Sequence, residues 1–197
     1  NIDYEGDYNV YLNDPRNINL GKKLITNKKI LIEKERLKEI NETEYHEILI
    51  NHTTPYSPFD ILENKSLLLE NNFDNLNAID WDKGCYVGQE ITARMKYRGL
   101  LKKKLYALKI KSGDVLEGDE LIVDNKKIGT IVSKANSNIF AALNINFVNE
   151  IKNKNQNLVI NDSLSFDFLN WKFFSIKAYW NYYCLLYTSD AADDCVC

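Results

Sequence analysis

Apolar and polar positions change rhythm near residue 100, and the two halves predict different kinds of structure. In the first half Val10-Tyr11-Leu12 predicts a short strand that stops at the turn residues Asn13-Asp14-Pro15. Lys29-Ile30-Leu31-Ile32 is an apolar stretch whose state the pattern leaves open. Residues 33–44 predict a strongly polar helix with Leu37 and Ile40 as its sparse apolar stripe. Two prolines close together make Thr53 to Pro58 a loop, and a helix is predicted from Ile61 to Leu69. The end of that helix and the loop after it would carry Glu70 and Asp74 toward a cysteine loop at 83–90. From Lys104 the pattern becomes short β runs at 105–110, 118–123, 127–133 and 139–145, with Asp124-Asn125 as a tight hairpin turn. Such a series predicts a small antiparallel barrel or sandwich. Residues 152–157 read as a polar linker, and Leu158-Val159-Ile160 as one more strand.

The chain has 197 residues, 45% of them hydrophobic and 27% charged, with a formal net charge of −3. It is long enough to bury a real core. It has neither an apolar run of membrane-spanning length nor an amino-terminal basic-then-apolar signal, so a cytoplasmic protein with no membrane partner is expected. Four cysteines are present, but Cys184, Cys195 and Cys197 fall in a stretch, 184–197, that breaks from the Asn/Lys/Ile-rich style before it. That stretch resembles translated sequencing-adapter DNA and is read as non-native. Cys85 is left alone, which suits a reducing compartment.

Lys83-Gly84-Cys85-Tyr86-Val87-Gly88-Gln89-Glu90 presents that thiol on a glycine-flanked loop that runs straight into an amphipathic segment. If Gln89 opens a helix, unpaired backbone N–H groups at its start and the Lys83 ammonium both favour a thiolate at Cys85. Glu90 and Arg94 are spaced to pair across one turn. The residues alone leave two readings open, a buried structural cysteine and a reactive or ligand-binding one.

Extended to Lys83-Gly84-Cys85-Tyr86-Val87-Gly88-Gln89-Glu90-Ile91-Thr92-Ala93-Arg94 and preceded by Leu76 to Asp82, this string resembles the signature of the folate-binding YgfZ family. These are iron–sulfur cluster assembly and repair factors related to the glycine-cleavage T-protein, or GcvT. Asp14-Pro15-Arg16 with Leu20-Gly21, Glu70 and Asp74, and Gly129 with Ser133 and Ala141-Ala142-Leu143 resemble further family segments in the same order. The resemblance covers roughly residues 4–150 and departs in two places. His46 to Thr54 replaces an arginine and a Gly-Ile-Pro-Glu turn, and Leu68 replaces a proline.

The resemblance implies an α+β chain holding part of a GcvT/YgfZ-like, aminomethyltransferase-type fold with a small carboxy-terminal antiparallel β-barrel. Residues 1–100 would be the partial folate-binding region, 101–165 the barrel, and 166–197 a poorly matching tail. Because the sequence starts inside a strand pattern without methionine, an amino-terminal part carrying much of the folate-facing surface is expected to be missing. By resemblance, Cys85 and Lys83 are the catalytic candidates, and Glu70, Tyr86, Gln89, Glu90 and Arg94 are candidate tetrahydrofolate contacts. Cys85 is also the candidate metal ligand. A [2Fe–2S] cluster needs four ligands, so one cysteine implies a cluster shared with an A-type iron–sulfur carrier or a glutaredoxin-like protein.

The implied function is tetrahydrofolate-dependent support of iron–sulfur cluster assembly or repair, and through iron–sulfur enzymes of tRNA modification. Whether any reaction is catalysed stays open. One alternative is a glycine-cleavage T-protein-like aminomethyltransferase, which resembles Lys-x-Asp-Phe-Ile-Gly at the aligned place and has no cysteine there. Another is a non-catalytic interaction module with Cys85 as packed core. Lys96, Arg98, Lys102, Lys103 and Lys104 form a basic cluster that could meet phosphate, a folate glutamate tail or RNA, but the acidic balance of the whole chain argues against direct nucleic-acid binding. His46 and His52 lack metal-ligand spacing, and neither a Gly-x-Ser-x-Gly elbow nor a phosphate-binding glycine loop is present.

Overall fold

The computed structural model describes residues 9–26, 39–57, 59–154, 158–160 and 164–169. Near the amino end, β1 (Asn9–Asn13) pairs antiparallel with β2 (Lys22–Thr26). The connection turns at Asp14, whose N–H donates to Gly21 O at 2.9 Å, and contains one 3-10 turn at Ile18–Leu20. Helix α1 spans Glu42–Asn51. The apolar stretch at 29–32 and most of the helix expected at 33–44 lie outside the described residues. The described helix begins at Glu42 because Asn41 and Glu44 form a reciprocal cap. Asn41 Oδ1 accepts from Glu44 N at 2.8 Å, and Glu44 Oε2 accepts from Asn41 N at 3.0 Å.

No helix forms over 61–69; the segment is a chain of turns. Within it Asn64 takes a φ of 58°, a left-handed conformation that a right-handed helix cannot pass through, and Asn72 and Asn77 take 63° and 58° in the turns that follow. The turns are docked by side chains and backbone instead. Asn72 Nδ2 donates to Leu105 O at 2.7 Å, and Leu105 N donates to Glu70 O at 2.7 Å. Helix α2 (Gln89–Tyr97) follows the cysteine loop.

Six strands build the second half: β3 (Lys103–Ser112), β4 (Glu120–Val123), β5 (Lys126–Ala135), β6 (Asn138–Asn144), β7 (Leu158–Ile160) and β8 (Leu164–Phe168). They pair antiparallel in the order β4-β5-β6-β3-β8-β7, and the edge strands β4 and β7 approach one another, so the sheet nearly closes into a barrel. The hairpin between β4 and β5 turns at Asp124 and Asn125, both at positive φ as a two-residue type I′ turn requires. Helix α3 (Ile145–Asn153), capped by the Asn144 side chain, occupies the start of the expected polar linker. The chain is thus α+β with a near-closed antiparallel barrel.

Two apolar clusters share the barrel wall. Leu108, Leu121, Ile131, Ile139, Leu143 and Phe166 fill the interior, with Val148 and Ile151 of α3 packed against them. Leu105, Ala107, Ala135 and Phe140 form an outer cluster under Ile50 of α1. Strand β5 serves both, because Val132 is an extra residue. Ile131 pairs with Ala141 while Ser133 pairs with Phe140, so the bulge hands the buried face from the inside to the outside.

Ser133 uses that outward aim to meet Asp60. Asp60 Oδ1 accepts from Ser133 Oγ and from His46 Nε2 of α1 (2.9 Å for the latter), and Oδ2 accepts from Tyr56 N at 2.7 Å. All three side chains, those of Asp60, Ser133 and His46, are buried. Replacing Asp60 by Ala strands the histidine, the hydroxyl and one backbone N–H in the interior, so a loss of about 3 kcal/mol is expected in urea unfolding. A loss below about 1 kcal/mol would show that the node does not hold α1 to the barrel. Gly129 sits opposite Leu143, where an added Cβ would stand 2.6 Å from Leu143 Cδ2 and also collide with the Ala142 carbonyl oxygen. Gly129→Ala is therefore expected to cost about 1–3 kcal/mol in the same measurement.

Candidate functional site

Residues 80–102 leave the packed body between the buried Ile79 and the start of β3, and within this excursion only Thr92 is buried. The loop carrying Cys85 is shaped locally. Asp80 Oδ1 accepts from Asp82 N at 2.9 Å as the chain turns in. At the far end Tyr86 to Gln89 form a turn closed twice: Gln89 N donates to Tyr86 O at 3.2 Å, and Tyr86 N donates to Gln89 Oε1 at 3.0 Å. Gly88 holds the third turn position at φ 84°, ψ −4°, a conformation that a type II turn demands and glycine supplies. Gly84 is not in the left-handed region. Gln89 does open α2, as the sequence pattern expects, and Cys85 stands ahead of the helix as a free, exposed thiol. It is not packed core.

Aromatic rings and ammonium groups surround the loop. Lys83 Nζ lies 4.4 Å from the centroid of the Tyr86 ring, and Lys96 Nζ lies 3.4 Å from that of Trp81. Tyr97 meets Trp81 edge-on, with centroids 6.4 Å apart and planes at 78°. Between them Asp80, Trp81, Lys83, Tyr86, Gln89 and Tyr97 line a recess of about 50 Å³.

The structure brings some of the expected residues together and separates others. Lys83, Tyr86 and Gln89 share the recess. Glu90 and Arg94 pair with each other on the exposed surface of α2. Glu70 pairs instead with Lys103 at 3.2 Å, and Asp74 with Lys104 at 3.2 Å, at the start of β3. The basic cluster is split accordingly, since Lys103 and Lys104 bind these carboxylates and Lys96 covers Trp81. Sequence reasoning missed the Trp81–Lys96–Tyr97 group, although an aromatic at each end of the signature was a visible signal.

A pocket that buries a drug-sized ligand has roughly 300–1,000 Å³, so this recess of about 50 Å³ does not by itself enclose a folate. Among the described residues, no three His, Cys, Asp or Glu side chains gather as a metal site. No described helix is long and apolar enough to cross a membrane.

The Asp14-Pro15-Arg16 turn braces the segment that leads to the site. Asn77 Nδ2 donates to Pro15 O at 2.9 Å, and Arg16 Nη2 reaches Tyr45 Oη of α1 at 3.5 Å. Burial alone would raise the Asp14 pKa. Hydrogen bonds from the Arg16 side chain (2.8 and 3.0 Å) and backbone, with the charges of Arg16 and Lys23, outweigh it and hold the carboxyl at about 2 against an ordinary 3.8. Asp14 therefore contributes about 2 kcal/mol that is fully present above its unfolded pKa and is lost as pH falls through its folded one. In urea unfolding between pH 5 and about pH 2, Asp14→Asn is expected to remove this part of the pH dependence; an unchanged slope would contradict it.

No protein-family model matches the chain. It is 35% identical over 121 residues to an iron–sulfur cluster assembly factor IBA57 homologue, mitochondrial, of Dictyostelium discoideum, covering 58% of this chain and 30% of the relative. With the IBA57 assembly factor of Mus musculus it shares 31% identity over 101 residues, 50% of this chain and 28% of the relative. With that of Homo sapiens the identity is 30% over 102 residues, 51% of this chain and 28% of the relative. The chain spans less than a third of the length of these relatives. Over the shared stretch it is homologous to the IBA57 type of GcvT/YgfZ-family assembly factor. The expected cytoplasmic location is corrected by the same finding, because these relatives are mitochondrial proteins.

Proposed function

We propose, from homology to the mitochondrial iron–sulfur cluster assembly factors, that the protein handles a cluster in transit through Cys85. The observation that carries this reading is the free, exposed Cys85 on a doubly closed loop ahead of α2. A thiol on a fixed loop can be offered to a cluster that another protein also holds. One cysteine supplies one of the four ligands of a [2Fe–2S] cargo, so the reading requires a partner with further ligands. An A-type carrier fits, and so does a glutaredoxin-like protein with glutathione. Lys83 and Tyr86 would shape the approach to the sulfur. By analogy with the relatives, the place of action is the mitochondrion.

Tetrahydrofolate enters only as a ligand of a longer protein. The recess beside Tyr86 and Gln89 would form one wall of its site, and the other walls would come from parts that the relatives have beyond the shared stretch. Support for tRNA modification would follow indirectly, from iron–sulfur enzymes supplied with clusters.

Anaerobic reconstitution with iron and sulfide, followed by visible absorbance and iron analysis, tests the proposal. The protein alone is expected to hold little cluster. With an A-type carrier added it is expected to join a cluster-bearing complex, and Cys85→Ala is expected to abolish that complex. A complex that forms equally well with Cys85→Ala would overturn the reading.

A further inference from the structure

We propose that Trp81 and Lys96 form a positioning clamp that closes the base of the Cys85 loop and so fixes where the thiol stands. The inference rests on the reading of Cys85 as the working thiol, and it concerns residues outside the Lys83–Glu90 string.

Helix α2 has one buried residue, Thr92, so core packing does little to hold the helix or the loop before it. The excursion needs another fixing point. Trp81 lies at the entry to the loop and Lys96 in the last turn of α2, with Cys85 between them in sequence. Their contact joins the two arms: the ammonium stands 3.4 Å from the Trp81 ring centroid. Tyr97, next in sequence, adds an edge-on contact to the same ring and stands 5.6 Å from the ammonium. Trp81 is half-buried, which strengthens a cation–π contact relative to a fully wet one. Lys96 is also placed at a helix C-terminus, where the backbone dipole favours a cation. Inside the clamp, Lys83 over Tyr86 and the Gln89–Tyr86 turn set the shape of the loop, while the clamp sets its position relative to the helix.

The test uses the full chain and four substitutions. Lys96→Met removes the cation and keeps the length, Lys96→Arg restores a cation over the ring, and Trp81→Leu and Trp81→Phe remove and restore the aromatic face. Two quantities are read: deuterium uptake of the amides of residues 82–88, and the iodoacetamide alkylation rate of Cys85 measured on its own peptide by mass spectrometry. Lys96→Met and Trp81→Leu are expected to accelerate loop exchange about fivefold and to change the alkylation rate, while Lys96→Arg and Trp81→Phe stay near the parent. Unchanged loop exchange in Lys96→Met, or Lys96→Arg behaving like Lys96→Met, would overturn the clamp. If Trp81→Leu lowers the global unfolding midpoint, the exposed Lys96 pair decides alone. Neither readout involves a cluster, so a Cys85→Ser protein with full cluster handling would remove the functional reading and leave the clamp standing.

Discussion

A single buried carboxylate joins the pieces of this protein. Asp60 takes hydrogen bonds from helix α1, from the loop at Tyr56 and from strand β5. Burying a charged group is costly unless its lone pairs are satisfied; here they are satisfied by three donors from three separate parts of the chain. Each donor position depends on the others. Ser133 reaches the carboxylate because the bulge turns β5 outward, and His46 reaches it because the Asn41–Glu44 cap starts α1 where it does. The arrangement superficially contains serine, histidine and aspartate, yet both other side chains bond to the same oxygen of Asp60, so it is a structural joint and not a nucleophile relay.

The cysteine loop is built on a different principle. The barrel and α1 are held by burial, whereas residues 80–102 are held by local geometry: a type II turn, an Asp80 turn and rings covered by ammonium groups. With few buried contacts in the segment, these local contacts are what set its conformation. The body supplies the anchors at each end, Ile79 and β3, and the Asp14-Pro15-Arg16 turn braces the approach through Asn77.

Much of the barrel was legible in the sequence because strand alternation and the Asp124-Asn125 turn are local signals. The start of α2 was legible for the same reason. The helix expected at 61–69 is interrupted at Asn64, which adopts left-handed φ, and composition alone does not reveal which asparagine will do so. Helix α3 was missed under its polar residues, although Val148 and Ile151 are spaced to face the barrel. At the site, the residues contiguous with Cys85 could be read from their order. The destination of Glu70 could not, since its pairing with Lys103 depends on how the turns at 68–77 dock on β3. The cytoplasmic expectation was drawn from the lack of a signal pattern in the sequence, and it is overturned by relatives that are mitochondrial proteins.

The extra residue in β5 also protects the sheet against its own alternatives. Sliding a strand by one position normally exchanges its two faces wholesale. In β5 the faces are already exchanged halfway along, so a slip in either direction would expose Ile131 or push Ser133 among apolar side chains. Val132 thereby acts as a ratchet tooth. The observed pairing of β5 with β6 satisfies both faces of the strand, and a one-residue slip in either direction would not.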